Sequence, residues 1–352
     1  MSKIVSIQYL RAVAVLLVVI LHNTTELAVH APQISVFEKG NFGVDLFFVI
    51  SGFIMWVLAA SRPTGSLAFI KDRVLRIWPL YAVMTIVTAF VTTDGGLSVN
   101  FAIDWIRLIA SLFFVPQWHE SYPLVAPVLF VGWTLNLEMA FYVIFAGLLS
   151  VTARWRLWLL CGLLFSIASA RLIIGEPTNP ALHLYTYSLI AEFGFGALLG
   201  AWYLRQTRKP APQLGGEWTG IFLIGAGVVL LSVSEHLTQA RVIHYGAPAL
   251  FIVAGLLMCE AHIFKRRYRP LEFLGDASYA IYLTHIMALS ISDKILGAPF
   301  GPSHTIAVLV AQTAFAFLVG SLVHVFLEKP LTKAIRHMRR SSTRETPYVF
   351  PH

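Results

Sequence analysis

Ten apolar stretches, each long enough to cross a bilayer, constrain this chain before anything else does. At about 20 apolar residues per crossing, they fall at 5–24, 42–60, 77–93, 128–150, 156–174, 184–204, 217–234, 244–262, 273–294 and 304–327. The pattern predicts an all-α polytopic membrane protein with about ten transmembrane helices. Composition agrees: 57% of the 352 residues are hydrophobic and 12% are charged, against about 25% charged in an ordinary soluble domain. The mean hydropathy is +0.72. The segment 101–116 carries Asp104 and Arg107 and reads as an interfacial helix rather than a crossing. The chain then divides into a transmembrane unit, 1–331, and a basic tail, 332–352, expected to be loosely ordered.

The basic residues test this count. With a cytoplasmic N-terminus, twenty of the 26 Lys and Arg fall on inner segments, while Lys39, Arg107, Arg171, Arg241 and Lys294 fall on outer ones. Arg11 lies inside the first crossing. The bias predicts ten crossings with both termini in the cytoplasm. It also accounts for the net charge of +8 without a nucleic-acid partner. Cys161 and Cys259 both lie in crossings and suggest neither a zinc site nor a disulfide. No metal site is expected. Arg11 interrupts the first apolar run, so no cleavable signal peptide is expected. Asn23-Thr24-Thr25 abuts the membrane and reads as a chance match to a glycosylation signal. Gly196 and Gly200, four apart, point to close helix packing.

Several polar groups sit where apolar ones would be cheaper. Arg11 and His22 share the first crossing, and an Arg there costs at least about 2.5–3.5 kcal/mol. Eleven residues return a helix to nearly the same face and separate the two groups by roughly 16 Å along the axis. Asp45 lies toward the outer end of the second crossing, Glu138 near the middle of the fourth, and Tyr282 and His285 in the ninth. Arg73 and Arg76 stand at the expected cytoplasmic mouth of the third. Bland readings remain open for each. His22 also reads as a packing residue, Arg11 as a snorkelling cation, Arg73 and Arg76 as topological anchors, and Asp45 as a solvated carboxylate. Glu138 at mid-depth must be paired, protonated or wet. His324 and Glu192 read as structural.

Together the groups suggest chemistry. An imidazole near a carboxylate is a general base with an orienting partner, able to take a proton from a sugar hydroxyl as it attacks an activated acyl group. Two arginines one turn apart can hold phosphates. The sequence resembles the integral-membrane sugar O-acyltransferases called the acyltransferase-3 family. The resemblance rests on Arg11-x10-His22, GVDLFFVISGF at 43–53, Arg73-x-x-Arg76 before Trp78-Pro79, and SYAIYLTH at 278–285. WTLNLE at 133–138 and Glu328-Lys329-Pro330 add to it. It runs from residue 6 to about 331 and looks most like the exopolysaccharide-modifying, ExoZ-like branch.

The resemblance implies a ten-helix core that moves an acyl group, most often acetyl, from acyl-CoA to a carbohydrate hydroxyl. It implies His22 as catalytic base with Arg11 beside it, and Arg73 and Arg76 as contacts of the acyl-CoA co-substrate; no cofactor is held permanently. Asp45 or Glu138 would orient His22, and Tyr282 and His285 are candidate substrate contacts. The expected setting is a bacterial inner membrane, with a surface or exported polysaccharide, or its lipid-linked precursor, as acceptor. Polysaccharide assembly proteins are candidate partners. The rival reading is a proton-coupled transporter or flippase of glycan precursors, which would also bury His, Glu and Arg.

Overall fold

Backbone N–H and C=O groups in hydrocarbon must find partners within the chain, and each of the ten apolar stretches is helical over most of its length. The structure, a computed structural model, describes residues 4–30, 35–61, 64–93, 96–97, 103–119, 124–207, 216–237, 240–260, 267–296 and 302–342. The helices are α1 (Val5–His30), α2 (Phe42–Ser61), α3 (Ser66–Val91), α4 (Trp105–Leu112), α5 (Trp133–Gly147), α6 (Ala153–Ile174) and α7 (Pro180–Tyr185). They continue with α8 (Ile190–Thr207), α9 (Glu217–Leu237), α10 (Ala247–Met258), α11 (Arg269–Leu296), α12 (Pro302–Val323) and α13 (Lys329–Ser342). Among the described residues, eight helical segments are long and apolar enough to cross a membrane. They contain α1, α2, α3, α5, α6, α8, α9 and α12. The other two expected crossings are also helical. One is the shorter apolar Val242–Met258, and the other is α11, which carries Glu272, Asp276 and Asp293. Two-residue strands at Thr92–Thr93 and Gly96–Leu97 make a small antiparallel ladder.

Several boundaries move. Helix α3 begins at Ser66, well before the expected 77, so Arg73 and Arg76 lie inside a helix rather than at its mouth. Burial of Phe69 and Ile77 holds that extra length against the core. The sixth crossing starts as the short α7, where Pro180 occupies the first turn and the Asn179 side chain accepts from the N–H groups of Ala181 and Leu182. A π turn, His324–Glu328, joins α12 to α13. The expected loose tail therefore begins as a helix reaching Ser342; 343–352 lie outside the described residues, as do Lys3, Arg62, Arg208, Lys209, Lys265 and Arg266 of the charge count. The interfacial helix is present as α4. Asp104 caps it by accepting from the Arg107 N–H, Trp105, Ile106 and Ile109 are exposed, and Leu108 and Ser111 are buried. Asn23 is buried and donates to the Leu309 carbonyl and to Thr313 Oγ1, so it is no glycosylation acceptor.

Helices α1, α2, α3, α5 and α11 surround a central cavity. Around them, α8 packs on α2, α6 on α8, α12 on α11, and α9 on α10, which meets α1 and α2. Within the apolar window, 72% of α2 and of α8 is buried, against 22% of α6, 17% of α9 and 22% of α12. The last three therefore turn most of their surface outward to lipid.

Missing side chains set the closest approaches. A methyl group on Gly196 would lie 2.0 Å from the Val49 carbonyl oxygen, and one on Gly52 would lie 2.1 Å from that of Phe193. The α2–α8 crossing thus needs glycine on both sides. Overpacking of this kind costs about 1–3 kcal/mol. Gly196→Ala should lower the melting temperature of the detergent-purified protein. Gly225→Ala is the control, since its added methyl would meet nothing within 4 Å, and it should not lower that temperature.

Candidate active site

The central cavity has a volume of about 210 Å³. Arg11 of α1, Arg73 and Arg76 of α3, Glu138 of α5 and Tyr282 of α11 line it. Five of the eight residues singled out in the sequence therefore meet at one space, although they come from four helices. The cationic side is barely compensated. Arg76 lies 3.4 Å from Glu328, whose other oxygen is 2.6 Å from His324 Nδ1. Arg11 and Arg73 have no hydrogen-bond or salt-bridge partner among the described residues. Arg11 thus faces the cavity rather than snorkelling toward lipid headgroups. Glu138 accepts from Ser51 Oγ at 2.9 Å and from the Tyr142 hydroxyl. The Tyr282 hydroxyl donates to the Val131 carbonyl at 3.1 Å and sits 2.9 Å from Thr134 Oγ1.

His22, His285 and Asp45 do not line this cavity. His22 and His285, 263 positions apart, bring their rings together with centroids 5.0 Å apart. The pairing follows from helix packing. A methyl group on Gly275 would stand 2.1 Å from the Gln8 carbonyl oxygen, so α1 and α11 touch backbone to backbone. From that contact the two helices run in the same direction and reach His22 and His285 at one level.

The hydrogen bonds fix both tautomers. His22 Nδ1 lies 3.0 Å from the Val18 carbonyl oxygen and 3.2 Å from His285 Nε2. A carbonyl can only accept, so His22 Nδ1 carries the proton. His285 Nδ1 lies 2.7 Å from the Tyr282 carbonyl oxygen and must also carry its proton, which leaves His285 Nε2 to accept from His22. His22 Nε2 is then an unprotonated lone pair with no hydrogen bond among the described residues. In that state an imidazole can act as a base.

The expected carboxylate partner for His22 is not what the structure shows. Asp45, rather than being solvated, is fully buried and held by Arg241, with Nη2 to Oδ2 at 2.7 Å and Nε to Oδ1 at 3.3 Å. Glu138 is engaged across the cavity by Ser51 and Tyr142. The partner of His22 is His285, which the sequence offered only as a substrate contact. Sequence reasoning also missed Arg241, counted among the outer-loop charges. The available signal was a second carboxylate at the same depth: Glu192, fully buried beside Gly246, where a methyl group would come within 2.9 Å of Oε1. A buried carboxylate calls for a cation or a proton, and Arg241 supplies the cation for Asp45.

A second cavity, about 300 Å³, is lined by Phe130, Trp133, His183, Tyr187 and Arg241 among others. Phe130 meets His22 edge-on at 6.3 Å between ring centroids. Tyr282, on the wall of the first cavity, lies 5.8 Å from the His285 ring. The pair is therefore flanked by one wall residue of each cavity.

Residues 4–324 match the family described as an acyltransferase domain. The chain belongs to the acyltransferase-3 family. It is accordingly an acyltransferase enzyme, and its helices make it a multi-pass membrane protein. The chain is 36% identical over 311 residues to "Exopolysaccharide production protein ExoZ" of Rhizobium meliloti, covering 86% of this chain and 93% of that protein. It is 24% identical to "Acyltransferase MdmB" of Streptomyces mycarofaciens, covering 88% and 85% of the two chains. With "Peptidoglycan O-acetyltransferase OatA" of Listeria monocytogenes it shares 25% identity over 93% of this chain and 56% of the longer relative. No solved structure matches the chain.

Removing one partner of a buried ion pair typically costs about 3–5 kcal/mol, because the other charge is stranded. Arg241→Ala should therefore destabilise the protein strongly. Arg241→Ala combined with Asp45→Leu should recover part of the loss. Thermal unfolding of the four proteins of this double-mutant cycle measures the coupling, and additive losses would mean that the pair is not coupled.

Proposed function

We propose that this enzyme transfers an acyl group, acetyl in the simplest case, from acyl-CoA to a hydroxyl of a surface or exported polysaccharide or its lipid-linked precursor. The observation that carries the reading is the free Nε2 lone pair of His22, whose ring meets Phe130 of the second cavity and pairs with His285 beside Tyr282 of the first. Kinship with an exopolysaccharide production protein and a peptidoglycan O-acetyltransferase supports a glycan acceptor. The first cavity suits the donor. Arg11, Arg73 and Arg76 offer guanidinium groups, planar donors matched to phosphate, against Glu138 on the cavity wall and Glu328 beside Arg76. The bias of basic residues toward that end of the helices supports a cytoplasmic approach of the donor across a bacterial inner membrane.

In the reaction, His22 Nε2 takes the proton of the acceptor hydroxyl as its oxygen attacks the thioester carbonyl. The tetrahedral intermediate carries an oxyanion, while Arg11, roughly 16 Å away along α1, holds donor phosphate in the first cavity. Collapse breaks the carbon–sulfur bond. The coenzyme A thiolate leaves and receives the proton from His22, so neither a net proton nor an oxidant is needed. His285 is a positioning residue. Its Nε2 accepts the His22 Nδ1 proton, and that hydrogen bond strengthens as His22 becomes an imidazolium. The Tyr282 carbonyl holds His285 in turn, and a second imidazole thus does the work expected of a carboxylate.

Free thiol released from acetyl-CoA and O-acyl content of the cell-surface glycan test this reading in the full chain. A general base contributes about 10²–10⁴-fold, so His22→Ala and His22→Gln should both lose transfer, since glutamine keeps the bulk but cannot take a proton. Near-normal transfer by His22→Gln would make His22 structural. A second set of variants reads the donor side: Arg73→Ala with Arg76→Ala should raise the KM for acyl-CoA, each lost charged hydrogen bond costing about 1.5–3 kcal/mol. An unchanged donor KM in the double variant would return both arginines to packing and topology.

A further inference from the structure

The second cavity is built differently from the first, and the difference indicates what it holds. Its arginine is already neutralised, since Arg241 is committed to Asp45 at 2.7 Å. Just behind the wall, Arg171 lies 3.2 Å from Glu176 and over the Tyr187 ring at 5.6 Å. The wall therefore presents no uncompensated guanidinium of the kind Arg11 and Arg73 present to the first cavity. A phosphorylated ligand has nothing to pay for its desolvation there. The wall is aromatic instead: Phe130, Trp133 and Tyr187 line it, with Trp133 and Tyr187 at 66° to one another and 6.3 Å between ring centroids. Trp133 and Tyr187 are half-buried, so part of each ring stays open to a ligand.

The polar groups on this wall are few, and His183 is the one with a ring nitrogen left without a hydrogen bond. His183 Nδ1 is buried without a hydrogen bond, its nearest carboxylate oxygen being that of Glu176 at 3.6 Å. The Asn41 side chain has its donor tied to the Glu38 carbonyl at 3.1 Å. A space of about 300 Å³ is at the small end for ligand sites. Aromatic faces with a few hydrogen-bonding groups, and no free charge, fit a neutral, hydroxylated ring whose C–H face lies on an aromatic side chain while its hydroxyls point outward.

We infer that this cavity is the acceptor site and takes a neutral sugar residue of the glycan, with Trp133 and Tyr187 as its platform and His183 as a hydroxyl partner. The inference rests on the acyl-transfer reading above and adds to it the location and chemistry of the acceptor. Phe130 places the cavity against His22, the group that must reach the acceptor hydroxyl.

The test uses the full chain in cells that carry its glycan, together with protein purified in detergent. Trp133→Ala and Tyr187→Ala should each lower O-acyl content of the glycan about tenfold or more, as expected for losing the contact of a large aromatic surface. Binding of radiolabelled acetyl-CoA to the purified variants should stay within about twofold of the parent, because the donor cavity is untouched. Trp133→Phe keeps an aromatic face and should recover most of the transfer, which a general folding defect would not allow. His22→Gln runs alongside. If it loses transfer while Trp133→Ala and Tyr187→Ala keep full transfer, the acceptor site is overturned and the acyl-transfer reading stands. If all three keep full transfer, the acceptor site and the role of His22 as base both fall. Loss of acetyl-CoA binding in the aromatic variants would also overturn the assignment, by making this wall part of the donor site or of the fold.

Discussion

The cost of an ionised group in hydrocarbon organises this molecule. Each charge at membrane depth must meet another charge, a hydrogen-bonding partner or water, and none can be left on the lipid-facing side of a helix. Arg11, Arg73, Arg76 and Glu138 satisfy the rule by facing a common cavity, and Asp45 satisfies it through Arg241. The five cavity-lining helices take their rotation about their own axes from this requirement. The outlying α6, α9 and α12, freed from it, are apolar over most of their surface.

Close packing then converts rotation into position. The polar side chains meet only because backbones approach to contact at glycine: Gly52 and Gly196 between α2 and α8, and Gly275 against Gln8 between α11 and α1. The last contact sets the level of His22 against His285. A hydrogen bond of 3.2 Å between groups 263 positions apart tolerates little sliding of one helix along the other. The chemistry of the pair is accordingly a property of the α1–α11 interface more than of either helix.

Much of this was legible in the sequence, for physical reasons. Membrane length and charge bias are local properties, so crossings and the interfacial α4 could be read directly. The spacing of Arg11 and His22 is local as well. What could not be read was which helices touch. Asp45 or Glu138 was offered as the partner of His22 on depth, and depth does not say that α1 lies against α11 or that the segment before α10 folds over the end of α2. Arg241 was missed because a positive charge just outside a crossing looks like any other loop cation until its carboxylate is found. The helical start of α3 was missed because Arg73 and Arg76 lower the local hydropathy where Phe69 and Ile77 anchor it to the core.

Tyr282 has a consequence of its own. Its hydroxyl donates to the Val131 carbonyl, its backbone carbonyl accepts from His285 Nδ1, and its side chain lines the first cavity. One residue therefore joins the wall of that cavity mechanically to the histidine pair, and a displacement of this turn of α11 is felt at both places at once.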